Sequence, residues 1–528
     1  MKKNLIRLSV VAALTTSSFA SDINKEMLNQ IQALKAQIEA LEKKVAEQDV
    51  KQQAQTSAVT TVDEKRIEKI EKKLDTVSNT ATAAKIQSGN DNLKWDVDFR
   101  TQVDNIQYKH ADGSKSENNA LLTNRLWLGM AYKADDNSSF HGKLSYNKAF
   151  GDTANHSQSN TNPGYANFDW VTNENATDNT IKLKEAYWLY TQEKLFGSDI
   201  PWAASVGRRP STDGLPINIR NDQQANSPLS HVVDVEFDGF SIKFDTDTLT
   251  GLTGSWLKIC GGRGLTNAVP RFDMFSPAYS QDDDKNVDVD MLGFIAVPYD
   301  DGQYSVHMNY AKAWNLIGFD GQSLQSFNTA YGAYQSSPSS TTAYNLQMAT
   351  PSFKDVGDID FATILFKTEG IGDGISDYLD NTIAFASFAA SKTNPNSLGM
   401  LGSTDSETGT SVWLGINAPC PITPDVAKIG FEWNKGSKYW RSMTYGEDTY
   451  AGSKIATRGQ AWEVYRNQQL TKSLTWGVSY VFMDYDYTGS NSFFGADGTP
   501  MTMSQAQAAG QNPVAEAQDV RTYIRYKF

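Results

Sequence analysis

Cysteine is nearly missing from this chain of 528 residues: there are two, Cys260 and Cys420, with no CxxC pair. Neither a zinc site nor a disulfide framework follows from that. Histidine is almost as scarce, at five (His110, His141, His156, His231 and His307), and none stands in an HxxxH or HExxH spacing. A His-based metal site therefore has no support, and without a CxxCH no haem is attached to this chain. No cofactor is implied. Apolar residues are few, 39%, where a soluble globular chain carries about 45–50%. No run of 18 or more apolar residues follows the N-terminus, which excludes a helical membrane span. Positive charge is also short: 48 Lys and Arg stand against 61 Asp and Glu, for a net −13. That balance opposes a nucleic-acid surface. Aromatics, in contrast, are plentiful at 24 Phe, 23 Tyr and 12 Trp. Disorder would need few of them.

The ends of the chain have their own character. Residues 1–20, MKKNLIRLSVVAALTTSSFA, have a basic start, a short apolar stretch and small residues at Ser18 and Ala20. This is the pattern of a secretory signal peptide cleaved after Ala20. Export permits a Cys260–Cys420 disulfide, although no spacing argues for one. Residues 21–88 then read as a coiled coil. Ile31, Ile38 and Val45 occupy a positions, and Met27, Leu34 and Leu41 occupy d. So narrow an apolar stripe needs a partner helix, and β-branched a with Leu at d favours dimers in isolated peptides. The segment is charge-neutral, with 11 acidic and 11 basic residues between positions 22 and 85.

From residue 89 onward the period becomes two. Trp95, Val97 and Phe99 alternate with Asp96, Asp98 and Arg100, and similar strands recur to the last residue. Ile181, Leu183, Tyr187 and Leu189 are expected on one face, and Val233, Val235 and Phe237 on one face of another strand. Tight turns such as Asp300-Asp301-Gly302 alternate with long polar loops, Gly151–Asn179, Phe319–Thr342 and Thr488–Ala517. Amphipathic strands in lipid must close on themselves, because an unpaired backbone group there is too costly. The expectation is an all-β transmembrane β-barrel over 89–528 of about 16 antiparallel strands, with 18 the alternative, enclosing an aqueous channel. Trp95, Tyr108, Tyr187, Trp314, Trp433, Trp440 and Tyr487 are expected in interfacial girdles.

The order of leader, polar coiled coil and barrel resembles trimeric outer-membrane porins that carry a periplasmic N-terminal coiled coil. The last strand, Val520-Arg-Thr-Tyr-Ile-Arg-Tyr-Lys-Phe528, resembles the C-terminal strand of outer-membrane barrels, which ends in Phe after alternating apolar residues. The resemblance makes Tyr526 and Phe528 the signal read by the barrel-assembly machinery. Four stretches, Thr123-Asn-Arg-Leu-Trp-Leu128, Pro163-Gly-Tyr-Ala-Asn-Phe-Asp-Trp-Val-Thr172, Val206-Gly-Arg-Arg-Pro-Ser211 and Val297-Pro-Tyr-Asp-Asp-Gly-Gln303, look closer to a poorly characterised porin-like family of epsilonproteobacteria. That family has no assigned solute. The resemblance implies a homotrimer in the outer membrane of a Gram-negative cell, with lipid and lipopolysaccharide around it.

Candidate selectivity residues are basic. Arg208 and Arg209 close a strand, and Arg220, Arg263 and Arg271 follow in its sequel. Neighbours in a strand face opposite sides, so only one of Arg208 and Arg209 can line the lumen. Arginine suits carboxylate or phosphate recognition, and charged rings set pore selectivity. The bland alternatives are pairing with Asp213, Asp222 and Asp273, or contact with lipopolysaccharide at the rim. Asp282–Asp288 lacks the spacing of a calcium loop and reads as solvated. No catalytic residues emerge: Ser230-His231 is the one adjacent Ser/His pair, and strand neighbours diverge. The function expected is passive diffusion of ions and small hydrophilic solutes. The alternative is a structural or adhesive protein linking the membrane to the cell wall or to external partners.

Overall fold

The computed structural model describes residues 93–150, 181–266, 288–444 and 449–528. The leader 1–20, the coiled coil 21–88, the loop 151–179 and Arg271 lie outside the described residues. Sixteen antiparallel strands form one closed barrel in which each strand pairs with its sequence neighbours and the last pairs with the first. They are β1 Leu93–His110, β2 Lys115–Lys133, β3 Ser138–Ala149, β4 Lys182–Gln192, β5 Trp202–Arg209, β6 Phe237–Asp245, β7 Trp256–Leu265 and β8 Val289–Asp300. The second half comprises β9 Tyr304–Gly318, β10 Lys354–Glu369, β11 Ile383–Pro395, β12 Thr408–Pro419, β13 Ala427–Gly436, β14 Gly459–Gln469, β15 Leu474–Tyr485 and β16 Val514–Lys527. Among the described residues no helix is long and apolar enough to cross a membrane.

Alternation explains the wall. On β1, Asp98, Arg100, Gln102 and Asp104 are buried inward, while Trp95 and Phe99 are exposed outward. On β16, Asp519, Arg521 and Arg525 are buried, and Val520, Ile524, Tyr526 and Phe528 are exposed. The chain end closes the cylinder: Val97 and Phe528 exchange both backbone hydrogen bonds, at 3.0 and 2.9 Å. The end holding the start of β1 and the finish of β16 has the brief turns 134–137, 301–303 and 470–473. The opposite end has the long connections 210–236, 319–353, 437–458 and 486–513.

Several expectations change. The register of β3 on β4 shifts between Lys143 and Leu144, so Lys184 is an extra residue and the face switches there. Leu183 is exposed, whereas Tyr187 turns inward and stacks on His141 at 5.0 Å. Residues 233–236 are no wall strand; Val233 forms only an isolated bridge, to Met443, and β6 starts at Phe237. The stretch Phe319–Thr342 is not structureless. It carries the helices Gly321–Ser336 and Ser340–Met348, started by Asp320 and Ser339 side chains that accept from backbone N–H groups of the first turn. Thr488–Ala517 holds a short helix, Met503–Ala508, and the start of β16. Trp440 is not in a girdle but fully buried. Both cysteines are free.

Candidate functional site

The lumen is not open. Segment 210–236 leaves β5, crosses the interior and returns to β6. Asp213 N–H donates to the Asp234 carboxylate at 2.8 Å and the Asn226 amide donates to Thr212 O at 2.9 Å, so its two limbs hold each other. On the near wall, Lys184 on β4 donates to Glu236 and Thr212 at 2.8 and 2.9 Å. Also on that side, Lys258 on β7 donates to Ser227 at 2.7 Å. On the far wall, His231 bridges the hydroxyls of Ser387 on β11 and Ser411 on β12, at 2.7 and 2.9 Å. Arg220 reaches Glu463 on β14 at 2.7 Å and Glu432 on β13 at 3.7 Å. Contacts on opposite sides of the barrel make this segment a strut.

His231 is wholly buried, with the rings of Trp413 and Trp440 at 5.6 Å each. Burial lowers its pKa to about 3, so the ring is neutral near pH 7. Its partners are those two serines and not Ser230, whose buried hydroxyl has no hydrogen-bond partner. The Ser230-His231 sequence thus forms no nucleophile and base.

Connections 437–458 and 486–513 fold in behind the strut. Val232, Val235, Trp440, Met443, Phe493 and Phe494 pack with Ile359 and Phe361 of β10 into one buried apolar cluster. Arg458 ties these connections by donating to Trp440 O, Thr488 O and Gly498 O at 2.9, 2.9 and 2.7 Å. Arg441 donates to Ser442 O and Ser490 O at 2.9 and 3.2 Å. Burial pulls both guanidinium groups down to about 9, still charged near pH 7. A barrel this wide would leave a broad aqueous interior by strand number alone. Here loops fill much of it.

What remains on the far side of the strut is a narrow slot lined by Arg100, Arg220, Arg521, Arg525, Glu463, Asn467 and Tyr523. Carboxylates stand beside these cations. Arg525 pairs with Asp98, and Arg521 donates to Asp104 at 2.7 Å. Lys454, from 437–458, contacts Glu432 and Glu463 at 2.5 and 2.8 Å. Arg100 has its guanidinium 5.8 Å from the Tyr523 ring centre. The arrangement offers several fixed guanidinium groups to a passing anion, with paired acids holding them in place.

The arginines singled out from the sequence separate in space. Arg209 faces inward and lies 4.4 Å over the Tyr187 ring. Arg208 shares the outward parity of Val206 and meets Asp238 at 3.3 Å. Arg220 is in the slot. Arg263 is also on the outward parity, bidentate to Asp290 at 2.7 and 2.8 Å, with Asp288 at 2.6 Å. Of the acids expected as partners, Asp213 accepts from the Asn221 amide at 3.1 Å, and Asp273 lies outside the described residues. Arg100, Arg521 and Arg525 were not singled out. Their signal was available: each stands on the buried face of a strand that alternates over most of its length. Among the described residues no group of His, Cys, Asp and Glu could hold a metal ion.

Among solved structures the chain is similar to an anion-selective porin from Comamonas acidovorans, at 12% identity over 82% of this chain and 100% of that one, with a TM-score of 0.43. It is similar to Pseudomonas putida OprB in a high-pH structure, at 11% identity over 83% and 94%, TM-score 0.43. It is also similar to Salmonella typhi OmpF in complex with daunomycin, at 9% identity over 83% and 99%, TM-score 0.41. The likeness is one of fold alone. No curated protein matches the sequence. A family profile described as a protein of unknown function, DUF3373, matches residues 115–528, and the chain belongs to that family.

Proposed function

We propose that this protein is an outer-membrane channel for passive diffusion of ions and small hydrophilic solutes, narrowed by segment 210–236 and favouring anions. The observation that carries the reading is the slot: Arg100, Arg220, Arg521 and Arg525 face one gap beside the strut inside a closed barrel. Charged linings set selectivity, and a narrow lining does so most strongly. In this reading the end holding the start of β1 and the finish of β16 faces the periplasm, the leader 1–20 is removed, and segment 21–88 is a periplasmic coiled coil. The long connections face outward. Tyr526 and Phe528, exposed on the last strand, serve the assembly machinery, and lipid and lipopolysaccharide surround the wall. A homotrimer accords with the resemblance to coiled-coil porins. No catalytic role is assigned.

Single-channel recording of the purified protein in planar bilayers under a salt gradient tests this. Discrete steps are expected, with a reversal potential of anion-preferring sign that moves toward zero in Arg100→Ala. No conductance from a folded barrel would favour the structural or adhesive reading. An unchanged reversal potential in Arg100→Ala and Arg220→Ala alike would remove the basic-slot reading.

A further inference from the structure

On the near side of the strut lies a second cavity, separate from the slot. It encloses about 600 Å³, counting the solvent at its mouth. Small inward residues hollow it out of the wall. Gly239 and Gly262 are cross-strand partners on β6 and β7, and the next inward row reads Ser241, Cys260, Gly293 and Ala311 across β6 to β9. Hollows alone do not make a site, but the polar groups here are unusual.

Asn309 on β9 is 4% exposed and lines this cavity, and its Nδ2 has no hydrogen-bond partner. A buried donor left unmatched is costly to the fold, and natural proteins keep few of them. Lys258 lines the same cavity, in the same cross-strand row as Asn309 with Ile295 between them. Its ammonium contacts Ser227 at 2.7 Å. Arg209 also lines the cavity, and it rests on the Tyr187 ring. Neither cation forms an ion pair among the described residues, in contrast to the slot, where Arg220, Arg521 and Arg525 each meet a carboxylate. The rest of the lining is mostly apolar, with Phe237 and Met291 beside Ser211, Ser227 and Ser241. Two cations and an open amide donor lining a mostly apolar hollow match one ligand chemistry: an anionic head on an apolar body.

We propose that this cavity binds a small amphipathic carboxylate, its carboxylate held by Lys258, Arg209 and the Asn309 amide and its apolar body against Phe237 and Met291. The site lies beside the strut, not in the slot, so its occupancy is independent of whether the slot conducts.

Isothermal titration of the full-length, detergent-purified protein with benzoate tests the site. Benzoate should bind saturably. Benzyl alcohol, which keeps the ring, and acetate, which keeps the charge, should each bind at least about tenfold more weakly, the order expected for losing a charge-assisted contact or the apolar contact. Lys258→Met should remove the preference for benzoate over benzyl alcohol, and Asn309→Leu should weaken benzoate. Arg100→Ala should leave benzoate affinity in place. The wild-type comparison of three probes needs no variant to fold. Absence of saturable benzoate binding, or acetate binding equally well, overturns the proposal. Loss of binding in Arg100→Ala also overturns it, because the probe would then occupy the slot.

Discussion

The two sides of the barrel interior are built on opposite chemistry. On β8 and β10 the inward residues Ile295, Val297, Ile359, Phe361 and Leu365 are apolar and wholly covered. On β16, β1 and β2 the inward residues Asp519, Arg521, Arg525, Asp98, Arg100 and Arg125 are charged. Both sides obey the same two-residue alternation outward. The difference is what covers them. The apolar side is roofed by the inserted connections and behaves like the core of a soluble domain. The charged side faces the gap beside the strut and satisfies itself with ion pairs. A barrel interior therefore need not be uniformly polar; one side can anchor loops while the other keeps its charges.

The strongest way to break this contrast is to weaken the apolar side. Phe361→Ala should destabilise the barrel by about 3–5 kcal/mol through the lost contacts and the cavity left behind, read as a lower thermal unfolding temperature in detergent. Single-channel conductance should rise at the same time as the inserted connections loosen. An unchanged stability would mean that the cluster anchors nothing.

Acid should act on the same attachment through His231. Its pKa is lowered by burial in the folded protein, to about 3, against about 6.5 when unfolded. The stabilisation is complete above the unfolded value and falls as pH drops from there toward the folded value, by at most about 1.4 kcal/mol per pH unit. Lowering the pH from 7 to 4 should therefore increase protease nicking of segment 210–236, and His231→Asn should flatten that pH dependence. A flat wild-type profile would contradict the buried neutral ring.

The smallest effect belongs to the charges outside this contrast. Lys109 and Glu516 pair at 2.6 Å across β1 and β16, but both are substantially exposed. Lys109→Ala should cost less than about 1 kcal/mol and leave selectivity unchanged. A large shift in reversal potential would show that charge at the mouth, not in the slot, governs the channel.

The barrel was readable because alternation survives in single strands. β1 and β16 show it over most of their length, with Ile106 inward and Thr522 outward as exceptions, which is why the closing strand and its outward Tyr526 and Phe528 were expected as found. β8 was harder to interpret, since Met291-Leu292-Gly293-Phe294-Ile295-Ala296-Val297 is apolar on both faces. Such a run is the mark of a strand covered on both sides, and it was the available hint that the interior is roofed. The alternation of Val233, Val235 and Phe237 misled for the same reason, because a strut buried on all sides also selects apolar residues. The extra residue at Lys184 reversed a face that composition alone could not date to one position. The slot itself was legible only in part. Arg220 stood out, while Arg100, Arg521 and Arg525 were hidden by being spread over strands far apart in sequence that meet only when the barrel closes.

Arg458 holds three carbonyl oxygens drawn from two different connections, Trp440 O from one and Thr488 O and Gly498 O from the other. It works as a keystone. Neither of these two connections can swing away without stripping a buried charge of its acceptors, a step far more costly than losing a neutral contact. These two connections are consequently expected to move together or not at all, so any motion of one carries the other with it.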